Sequence, residues 1–559
     1  MTTDFDAIVI GSGISGGWAA KELTERGLRV LLLERGRNIE HGSGYSNEMK
    51  APWEMPFMGF NNPKLLQQDY AVQSKGMNFD EWSMPHFVKD SEHPYLTPEH
   101  SNFQWRRGYQ LGGRSLTWGR QCYRWSDLDF AANKKDGYGI DWPVRYQDIK
   151  PWYDHVESFI CINGTKENLP QLPDGIFQPH MPLSAIEQLL ADRIAKNYQD
   201  RRLIPGRSAN LTQAKDGRAP CQYRYICHRG CSFGAYFSTQ SSTLPAAKAT
   251  GRLTLKTDVI VDTIDYDSAT GKASHANCIN SKTGQRTRFS AKLFFLNASA
   301  FNSVGLLLRS RTEHFPNGLA NRSGTLGKYI MDHAHSLSMA ASVHELEDRS
   351  YFGNRPSNFI IPRFTNLEKQ QHDFVRGYSY QGVGFRTNWK RGATTQGTGQ
   401  VLKDALAKQG EWRILMVAFA ECLPQEYNRV TLAKRLDKWG LPQLNIDMRH
   451  GENEKKLLRH AQTQAQKMLK LVNSSVLASH NAPEPGGAAV HEMGGARMGA
   501  NPNQSVVNGK NQCHDVNNIF ITDGAAMSSS ANQNPSLTYM AFTARAAALA
   551  ADMVKSGAL

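Results

Sequence analysis

Residues 7–16 of this 559-residue chain have the sequence Ala-Ile-Val-Ile-Gly-Ser-Gly-Ile-Ser-Gly, and this stretch decides the fold. The apolar residues before the glycines predict a buried first strand. Residues 18–26 then predict a helix, and residues 29–33, apolar from Val30 onwards, predict a second strand that ends at Glu34. In this order of strand, glycine turn, helix, strand and acid, the glycine pattern predicts dinucleotide binding.

Each glycine of the turn has its own expected role. Gly11 permits the tight turn, Gly13 lets the backbone approach a pyrophosphate, and Gly16 lets the helix pack on the strand. The free N–H groups at the start of the helix would face the phosphates. Glu34, 23 residues after Gly11, is placed to accept hydrogen bonds from a ribose. The alternative is a glycine-rich turn in an unrelated α/β domain.

Composition sets the broad class of protein. Hydrophobic residues make up 40% and charged residues 21% of the chain, which indicates about two to four globular domains and excludes bulk disorder. The net charge of +14 would suit nucleic acid or an anionic membrane, but no run of five Lys or Arg occurs, so a basic soluble surface is favoured. No apolar stretch reaches the ~20 residues that span a bilayer. We expect no export signal, because the N-terminus leads directly into the first strand.

Further segments of the chain match the motifs of one enzyme family, in that family's order. They are residues 110–119, 298–303, 327–333, 491–499, 518–526 and 530–538. Together with the glycine turn, they make the chain resemble the glucose–methanol–choline family of FAD oxidoreductases. The resemblance extends from residue 6 to about residue 550, with weaker support between residues 345 and 480.

The resemblance implies an α/β fold, with a Rossmann-like FAD-binding domain of discontinuous segments and an inserted α+β substrate-binding domain. The segments expected for the FAD-binding domain are 1–45, 100–125, 215–345 and 480–559. Residues 126–214 and 346–479 are expected to form the substrate-binding domain. Residues 46–99, which show little periodicity, are expected to be a loop-rich cover over the cofactor.

The resemblance also implies which residues contact the FAD. They are Gly11, Gly13, Ser15, Gly16, Glu34, Arg35, Gly112, Gly113, Ser115, Thr117, Trp118, Val259, Asp523, Gly524, Asn534 and Ser536. Thr117 stands where some sugar-oxidising relatives have a histidine that links covalently to the flavin, so non-covalent FAD is expected. A helix beginning after Pro535 would point its positive end at the flavin ring and favour the anionic reduced form.

A histidine and an asparagine are the candidate catalytic pair. Oxidising an alcohol with a flavin requires a base for the hydroxyl proton, and histidine titrates near neutrality. A second group must hydrogen-bond the developing alkoxide. His491 matches the family's catalytic histidine and Asn534 matches its partner position, so His491 is the expected base. The alternative is a structural histidine, and that interpretation is kept for His333, His335, His480 and His514.

Three cysteines lie close together in sequence, at Cys221, Cys227 and Cys231. Thiolates gathered on a short loop bind iron–sulfur clusters or zinc. The loop 221–231 is similar to that of bacterial FAD-dependent glucose dehydrogenase catalytic subunits, which implies a [3Fe-4S] cluster. The alternatives are a zinc site with His228 as fourth ligand, and plain buried thiols. A cluster beside a flavin would favour a dehydrogenase that exports electrons over an oxidase.

The residues of these motifs are most similar to those of bacterial glucoside 3-dehydrogenases. Oxidation at carbon 3 of a glucoside to a 3-keto sugar is therefore favoured. Oxidation of an aldose at carbon 1 or of a sugar acid at carbon 2 are the alternatives. A basic, non-catalytic binding protein is the alternative from another class. The resemblance implies a small accessory subunit that bears the export signal, a cytochrome acceptor, and no nucleic acid. The expected location is the periplasm or the periplasmic face of the membrane, or the cytoplasm without such a partner.

Overall fold

The computed structural model describes residues 4–350 and 353–559. The strands, in chain order, are β1 Phe5–Ile10, β2 Val30–Leu33, β3 Ile162–Asn163, β4 Phe177–Gln178, β5 Ile204–Pro205, β6 Leu253–Lys256, β7 Val259–Asp267, β8 Lys272–Asn280, β9 Arg286–Leu296, β10 Ala334–Val343, β11 Phe359–Ile361, β12 Tyr378–Arg386, β13 Trp412–Ala420, β14 Arg429–Leu436, β15 Pro442–Asp447, β16 Ser474–Ala478 and β17 Ile519–Ile521. The helices are α1 Ile14–Glu25, α2 Pro63–Asp69, α3 Asp127–Phe130, α4 Ala132–Asp136, α5 Tyr146–Ile160, α6 Ala185–Asn197, α7 Leu244–Ala249, α8 Ala300–Arg309, α9 Gly399–Ala407, α10 Glu452–Leu469 and α11 Ser536–Lys555.

The first sheet has a parallel part in the order β6-β2-β1-β9-β17, and β9 continues into an antiparallel meander with β8 and β7. Val9 of β1 lies between Leu32 and Phe295 of the neighbouring strands. Helices α1 and α11 cover one face of this sheet. Its central strands are buried on both sides, in two separate apolar cores, which explains their unbroken apolar sequences.

Helix α1 begins at Ile14, four residues earlier than the pattern predicts. The turn is complete at Gly13, and the next glycines lie inside the helix where it packs closely. A Cβ on Gly16 would lie 1.8 Å from the carbonyl oxygen of Gly11, and one on Gly17 would lie 2.6 Å from Oγ1 of Thr243. Close packing therefore selects glycine here, although glycine disfavours helix.

The second sheet is antiparallel, in the order β16-β10-β13-β12-β11-β5. Side chains of β13 alternate, with Ile414 and Met416 buried in a core that includes residues of α6 and α10. Leu415, Val417 and Phe419 point to the opposite face, which lines a large cavity. The expected α/β fold, a Rossmann-like sheet with a second sheet domain, is therefore confirmed.

Two elements lie outside the domain expected from the sequence. Strand β10 belongs to the second sheet, although residues 215–345 were assigned to the FAD-binding domain. Helix α5 packs on α11 in the first core, although residues 126–214 were assigned to the other domain. Residues 46–99 contain α2 and short 3₁₀ turns, in keeping with a loop-rich segment. In the described part of the chain no helix is long and apolar enough to cross a membrane.

Candidate active site

A cavity of about 810 Å³ lies between the two sheets. One side is formed by the carboxyl ends of parallel strands, where Ile10, Leu33 and Asn297 lie. The other side is the inner face of the second sheet, with Gln381 and Phe419. The carboxyl ends of parallel strands are where nucleotides bind in open α/β sheets.

The glycine turn forms the floor of this cavity. Gly11 has a φ of +95°, and a Cβ there would lie 2.3 Å from the carbonyl oxygen of Asn297, so no other residue fits. A Cβ on Gly13 would meet no atom within 4 Å, because this position faces the open cavity. Gly13 thus leaves room for a ligand to approach the backbone, while Gly11 and Gly16 serve the packing of the turn.

The acid at the end of β2 is bound to the turn through Ser12, a residue that the sequence reasoning missed. Glu34 accepts hydrogen bonds from the hydroxyl of Ser12 at 2.5 Å and from the N–H of Gly36 at 2.8 Å. Ser12 Oγ in turn accepts from the N–H of Gly112 at 2.9 Å. Burial raises the pKa of Glu34 despite these donors. Ser12 therefore joins the first and second glycine segments at the expected ribose site.

Aromatic and cationic side chains surround the far end of the cavity. The Arg35 guanidinium lies 4.2 Å from the ring centroid of Tyr109 and 5.4 Å from that of Trp439. His93 stacks on Trp439, and burial lowers the pKa of His93 to about 2, so it is neutral. Such flat surfaces suit a nucleobase. Tyr109 and His93 were not anticipated, because no spacing connects them with the turn.

The expected FAD contacts converge on this one cavity. Of the sixteen residues named from the sequence, all but Gly16 and Gly112 line it. Helix α11 begins at Ser536 with its positive end at the cavity, and the buried side-chain oxygen of Asn297 has no hydrogen-bond partner there. Asp523 accepts from Ser303 at 2.6 Å, and burial raises the pKa of Asp523 to about 6. The residues present fit FAD: a glycine cradle for the phosphates, an acid for the ribose and a helix dipole for the flavin.

His491 and Asn534 meet in the same cavity, with Nε2 of His491 3.1 Å from Nδ2 of Asn534. The other ring nitrogen, Nδ1, lies 2.8 Å from Nδ1 of His333. Nε2 of His333 contacts the carbonyl oxygen of Ala531. Burial lowers the pKa of His333 to about 4 and that of His491 well below 6.5, so both rings are neutral at neutral pH.

The Ala531 carbonyl at the end of this chain of hydrogen bonds determines which nitrogen donates in each bond. The Ala531 carbonyl only accepts, so His333 carries its hydrogen on Nε2 and accepts on Nδ1. His491 therefore donates through Nδ1, which leaves Nε2 without a hydrogen and facing the Asn534 amide. Gln381 donates to Oδ1 of Asn534 at 2.5 Å, which turns the Asn534 NH₂ towards His491. The result is an unprotonated nitrogen beside an amide donor.

Asp332 holds the backbone that carries His491. Its carboxylate accepts from the N–H groups of Gly487, Ala489 and His491 at 2.8, 3.1 and 2.9 Å. Burial, with the nearby Glu492 charge, raises the pKa of Asp332 to about 7. Glu492 itself receives two hydrogen bonds from Arg114, at 3.1 and 2.5 Å. These contacts connect the 110–119 and 491–499 motifs.

Two histidines that were interpreted as structural lie in the site. His333 contacts His491, and His335 lines the cavity on β10. The signal for His333 was its place in the 327–333 motif. His514 hydrogen-bonds Ser505 and the carbonyl of Gly499 outside the cavity lining, in keeping with a structural role, and His480 lies outside the lining as well.

Cys221, Cys227 and Cys231 share a small cavity with Tyr225 and Tyr236. The N–H of Tyr223 lies 3.4 Å from Sγ of Cys221. Burial raises the pKa of Cys221 to about 11 and also raises that of Cys231, so these thiols are protonated.

The cysteine loop does not form a metal site as it stands. Within residues 4–350 and 353–559, no group of three His, Cys, Asp or Glu side chains is placed to hold a metal ion. His228, the zinc alternative's fourth ligand, contacts Asp80 at 2.9 Å instead. The side chains as they stand therefore show neither an iron–sulfur nor a zinc site. Cys227 does, however, line the large cavity as well as the small one.

Comparison with known proteins shows the family. The N-terminal model of the GMC oxidoreductases matches residues 5–335, and the C-terminal model matches residues 424–543. The chain therefore belongs to the GMC oxidoreductase family, and it is an FAD-dependent oxidoreductase that acts on CH–OH groups. The alternative of a non-catalytic binding protein is dropped.

Several relatives match over nearly their whole length. The 2-methyl-1,2-propanediol dehydrogenase of Mycolicibacterium austroafricanum is 26% identical, covering 98% of this chain and 95% of the relative. The fructose dehydrogenase large subunit of Gluconobacter japonicus is 25% identical, with coverage of 100% and 99%. Paromamine 6'-oxidase of Streptomyces fradiae is 26% identical, with coverage of 98% and 92%. Among solved structures, pyridoxine 4-oxidase from Mesorbium loti has a TM-score of 0.61 at 14% identity, covering 97% of this chain and 98% of that one, which shows the fold alone.

Proposed function

We propose that the protein is a dehydrogenase that oxidises a secondary hydroxyl of a sugar, with carbon 3 of a glucoside favoured, and that His491 is the base. The observation that carries the proposal is the position of Nε2 of His491, 3.1 Å from the Asn534 amide inside the cavity that fits FAD. A hydroxyl placed there can donate to His491 while its oxygen accepts from Asn534.

In the proposed reaction the hydroxyl proton moves to Nε2 of His491, and the C–H bond breaks with its electron pair. Bound FAD supplies the acceptor for that hydride. The Asn534 amide donates to the oxygen as negative charge develops on it, and it cannot compete for the proton. His491 becomes an imidazolium, whose Nδ1–H bond to His333 grows stronger with the charge. The product is a ketone: a hydride has left the substrate carbon and a proton has left the oxygen, so two electrons and two protons are removed in all.

The cavity lining supports a sugar-sized, polyhydroxylated substrate. Beyond the catalytic pair, polar side chains reach the cavity from several elements: Arg120, Gln121, Asn358 and Gln381. Phe419, whose ring centroid is 5.8 Å from that of His491, offers an apolar face of the kind on which a pyranose stacks. Two relatives bear the names of fructose and paromamine enzymes, which also favours the sugar class.

The test is anaerobic flavin reduction followed by product analysis. Methyl glucoside, glucose and gluconate distinguish carbon 3, carbon 1 and carbon 2 oxidation, and NMR of the product locates the new carbonyl. A 3-keto glucoside supports the proposal. Oxidation of glucose at carbon 1 or of gluconate at carbon 2 replaces it with that alternative, and flavin bleaching only by non-sugar alcohols rejects the sugar class.

We also propose that the cysteine loop is an electron exit that holds a [3Fe-4S] cluster after the thiols rearrange. The support is that three thiols share one small cavity and that Cys227 reaches the flavin cavity. Because burial raises the pKa of Cys221 and of Cys231 and keeps these two thiols protonated, cluster binding must release protons. Metal analysis of anaerobically purified protein tests this: about three irons, lost in Cys227→Ser, are expected, and a finding of zinc or of no metal contradicts it.

Partner and location belong to the same proposal. A small accessory subunit with an export signal and a cytochrome acceptor would place the enzyme in the periplasm or at the periplasmic face of the membrane. One relative is named a large subunit and another a flavoprotein of gluconate 2-dehydrogenase, which supports an assembly of several chains. Fractionation of cells that produce the enzyme with or without a co-expressed small subunit bearing an export signal tests it: the enzyme is expected to stay in the cytoplasm when that subunit is absent.

A further inference from the structure

Large apolar side chains are exposed together on one side of the molecule. Segment 49–60 presents Met49, Trp53, Phe57, Met58 and Phe60, and the exposed fractions of Trp53 and Phe57 are 75% and 65%. Tyr225 is exposed on the cysteine loop, and Phe233 is exposed two residues after that loop ends. We call these seven side chains the apolar platform. An exposed apolar cluster of this size marks an interaction surface.

The platform is held firmly from below. The ring of Trp82 lies directly under Gly59, where a Cβ would come within 2.0 Å of it, and Trp82 Nε1 donates to the carbonyl of Lys50 at 2.8 Å. Phe57 and Met58 have φ values of +51° and +56°, in the left-handed region that bulky residues seldom adopt. This backbone turns both side chains outwards, so their exposure is built into the fold.

Arg224 joins segment 49–60 to the cysteine loop. It pairs with Glu48 at 2.5 Å, its Nη1 lies 2.8 Å from Sδ of Met49, and its guanidinium lies 4.8 Å from the ring centroid of Phe233. On the same loop Tyr225 and Cys227 line the large cavity. Arg224 and the cysteine loop therefore connect the apolar platform with side chains that line the large cavity.

The chemistry of the platform selects its partner. Aromatic residues, methionine and arginine are the types enriched at protein interfaces. Between residues 49 and 77, the lysines at positions 50, 64 and 75 are exposed, whereas Glu54 is the exposed acid and Asp69 is buried. The surroundings are thus basic, as is the whole chain with its net charge of +14. A partner with an apolar docking face and an acidic rim would complement this surface.

We infer that the apolar platform docks a one-electron redox protein with an apolar face and an acidic rim, which takes the electrons removed from the substrate. The inference rests on the proposed dehydrogenase function. Two molecules of this partner are each reduced by one electron for every hydroxyl oxidised, and the protons are released to water. Docking at the platform brings the partner's redox centre to the wall that contains Tyr225 and Cys227.

The test uses the holoenzyme reduced chemically with dithionite and then freed of excess dithionite, so that it depends neither on the sugar nor on direct reduction of the acceptors. The probe is an acidic plastocyanin, a blue copper protein with an apolar docking face, and its reduction is followed by loss of the blue colour. Trp53→Ser with Phe57→Ser should lower the second-order rate about tenfold or more. Reduction of the dye dichlorophenolindophenol, which needs no docking surface, should be unchanged. Lys50→Glu with Lys64→Glu should also lower the plastocyanin rate and weaken its dependence on salt.

The matched control is Val476→Ser with Leu477→Ser, which removes two exposed apolar side chains from the edge strand β16. Its plastocyanin rate should equal that of the wild type. An unchanged rate in the platform variants, or a wild-type enzyme that reduces the dye but not plastocyanin, overturns the inference. Loss of binding to anionic lipid vesicles in the platform variants, with an unchanged plastocyanin rate, assigns the platform to a membrane surface instead. If no sugar reduces the flavin, the proposed function is wrong, whereas the inference about the apolar platform still stands on the plastocyanin rates.

Discussion

The proposed role of His491 as the base rests on the residues that surround it. Free histidine is partly protonated near neutrality, but burial lowers the pKa of His491 and the hydrogen bond to His333 places its hydrogen on Nδ1. The nitrogen that faces the substrate space is therefore unprotonated across the neutral range. Asn534 completes the site as a donor held in orientation by Gln381.

Replacing His491 by Ala should lower turnover on the order of a hundredfold or more, because no other base faces Asn534. Bound flavin should stay, since the cradle at residues 11–16 is untouched. Steady-state turnover and the flavin absorbance of the purified variant check both statements. Asn534→Ala tests the donor of the pair in the same way. Near-normal turnover in His491→Ala would contradict the assignment of His491 as the base.

The same contacts predict the pH profile of turnover at saturating substrate. A base works while unprotonated, and the pKa of His491 lies well below 6.5. Activity should therefore stay level from pH 8 to 6.5 and fall only at more acidic pH. An acid-side inflection at or above pH 6.5 would contradict this.

His333 is a positioning residue, and a matched pair of variants separates that role from packing. In His333→Asn the amide can donate to Ala531 and accept from His491, whereas His333→Leu removes both bonds. We expect the Asn variant to keep most of the activity and the level neutral pH profile. The Leu variant should lose activity, and the acidic side of its pH profile of turnover should shift. Equal loss in both variants would indicate packing alone.

At the scale of the elements, the turn between β1 and α1 contains two kinds of glycine. A Cβ at Gly16 would collide with the backbone of Gly11, whereas a Cβ at Gly13 would enter the open cavity. Gly16→Ala should thus destabilise the fold by several kcal/mol through forced movement of α1. Gly13→Ala should leave the unfolding midpoint of the FAD-free protein unchanged and weaken FAD binding. Thermal unfolding and FAD titration of both variants check this, and equal destabilisation of the two FAD-free proteins would contradict it.

The sequence predicted the elements whose signals are local. The strand, the glycine turn and the acid at Glu34 follow one another within 28 residues, and each has a distinct pattern. The start of α1 was missed because Gly16 and Gly17 oppose helix locally and are selected by contacts with distant atoms. His333 and His491 are 158 residues apart, and nothing in the spacing shows that the pairing of Met331 with Met493 brings them together. Strand β10 lies in the second sheet, although residues 215–345 were expected in the FAD-binding domain, because β-pairing partners carry no sequence mark.

At the scale of the whole molecule, the cavity is assembled from segments that lie far apart in the chain. The first strands, the 110–119 motif, strand β10 and helix α11 all contribute to it. A ligand that contacts all these segments should hold the two sheets together. Because it binds the folded chain and not the unfolded one, it should also raise the free energy of unfolding. The stability of the protein should therefore depend on its cofactor, and Thr117 predicts that the cofactor can be removed.

Acid precipitation of the holoenzyme should release all the FAD into the supernatant, because Thr117 has no nucleophilic ring nitrogen to link to the flavin. The protein depleted of FAD under milder conditions should unfold at a lower temperature, since the ligand's contribution is lost. Adding FAD back at 100 times its dissociation constant should restore about 2.7 kcal/mol of unfolding free energy. Adding AMP alone, which occupies only the end near Arg35 and Tyr109, serves as the control and should restore less. Flavin that stays with the washed pellet would show a covalent link at another residue, and an FAD-independent midpoint would show that the cavity does not couple the segments.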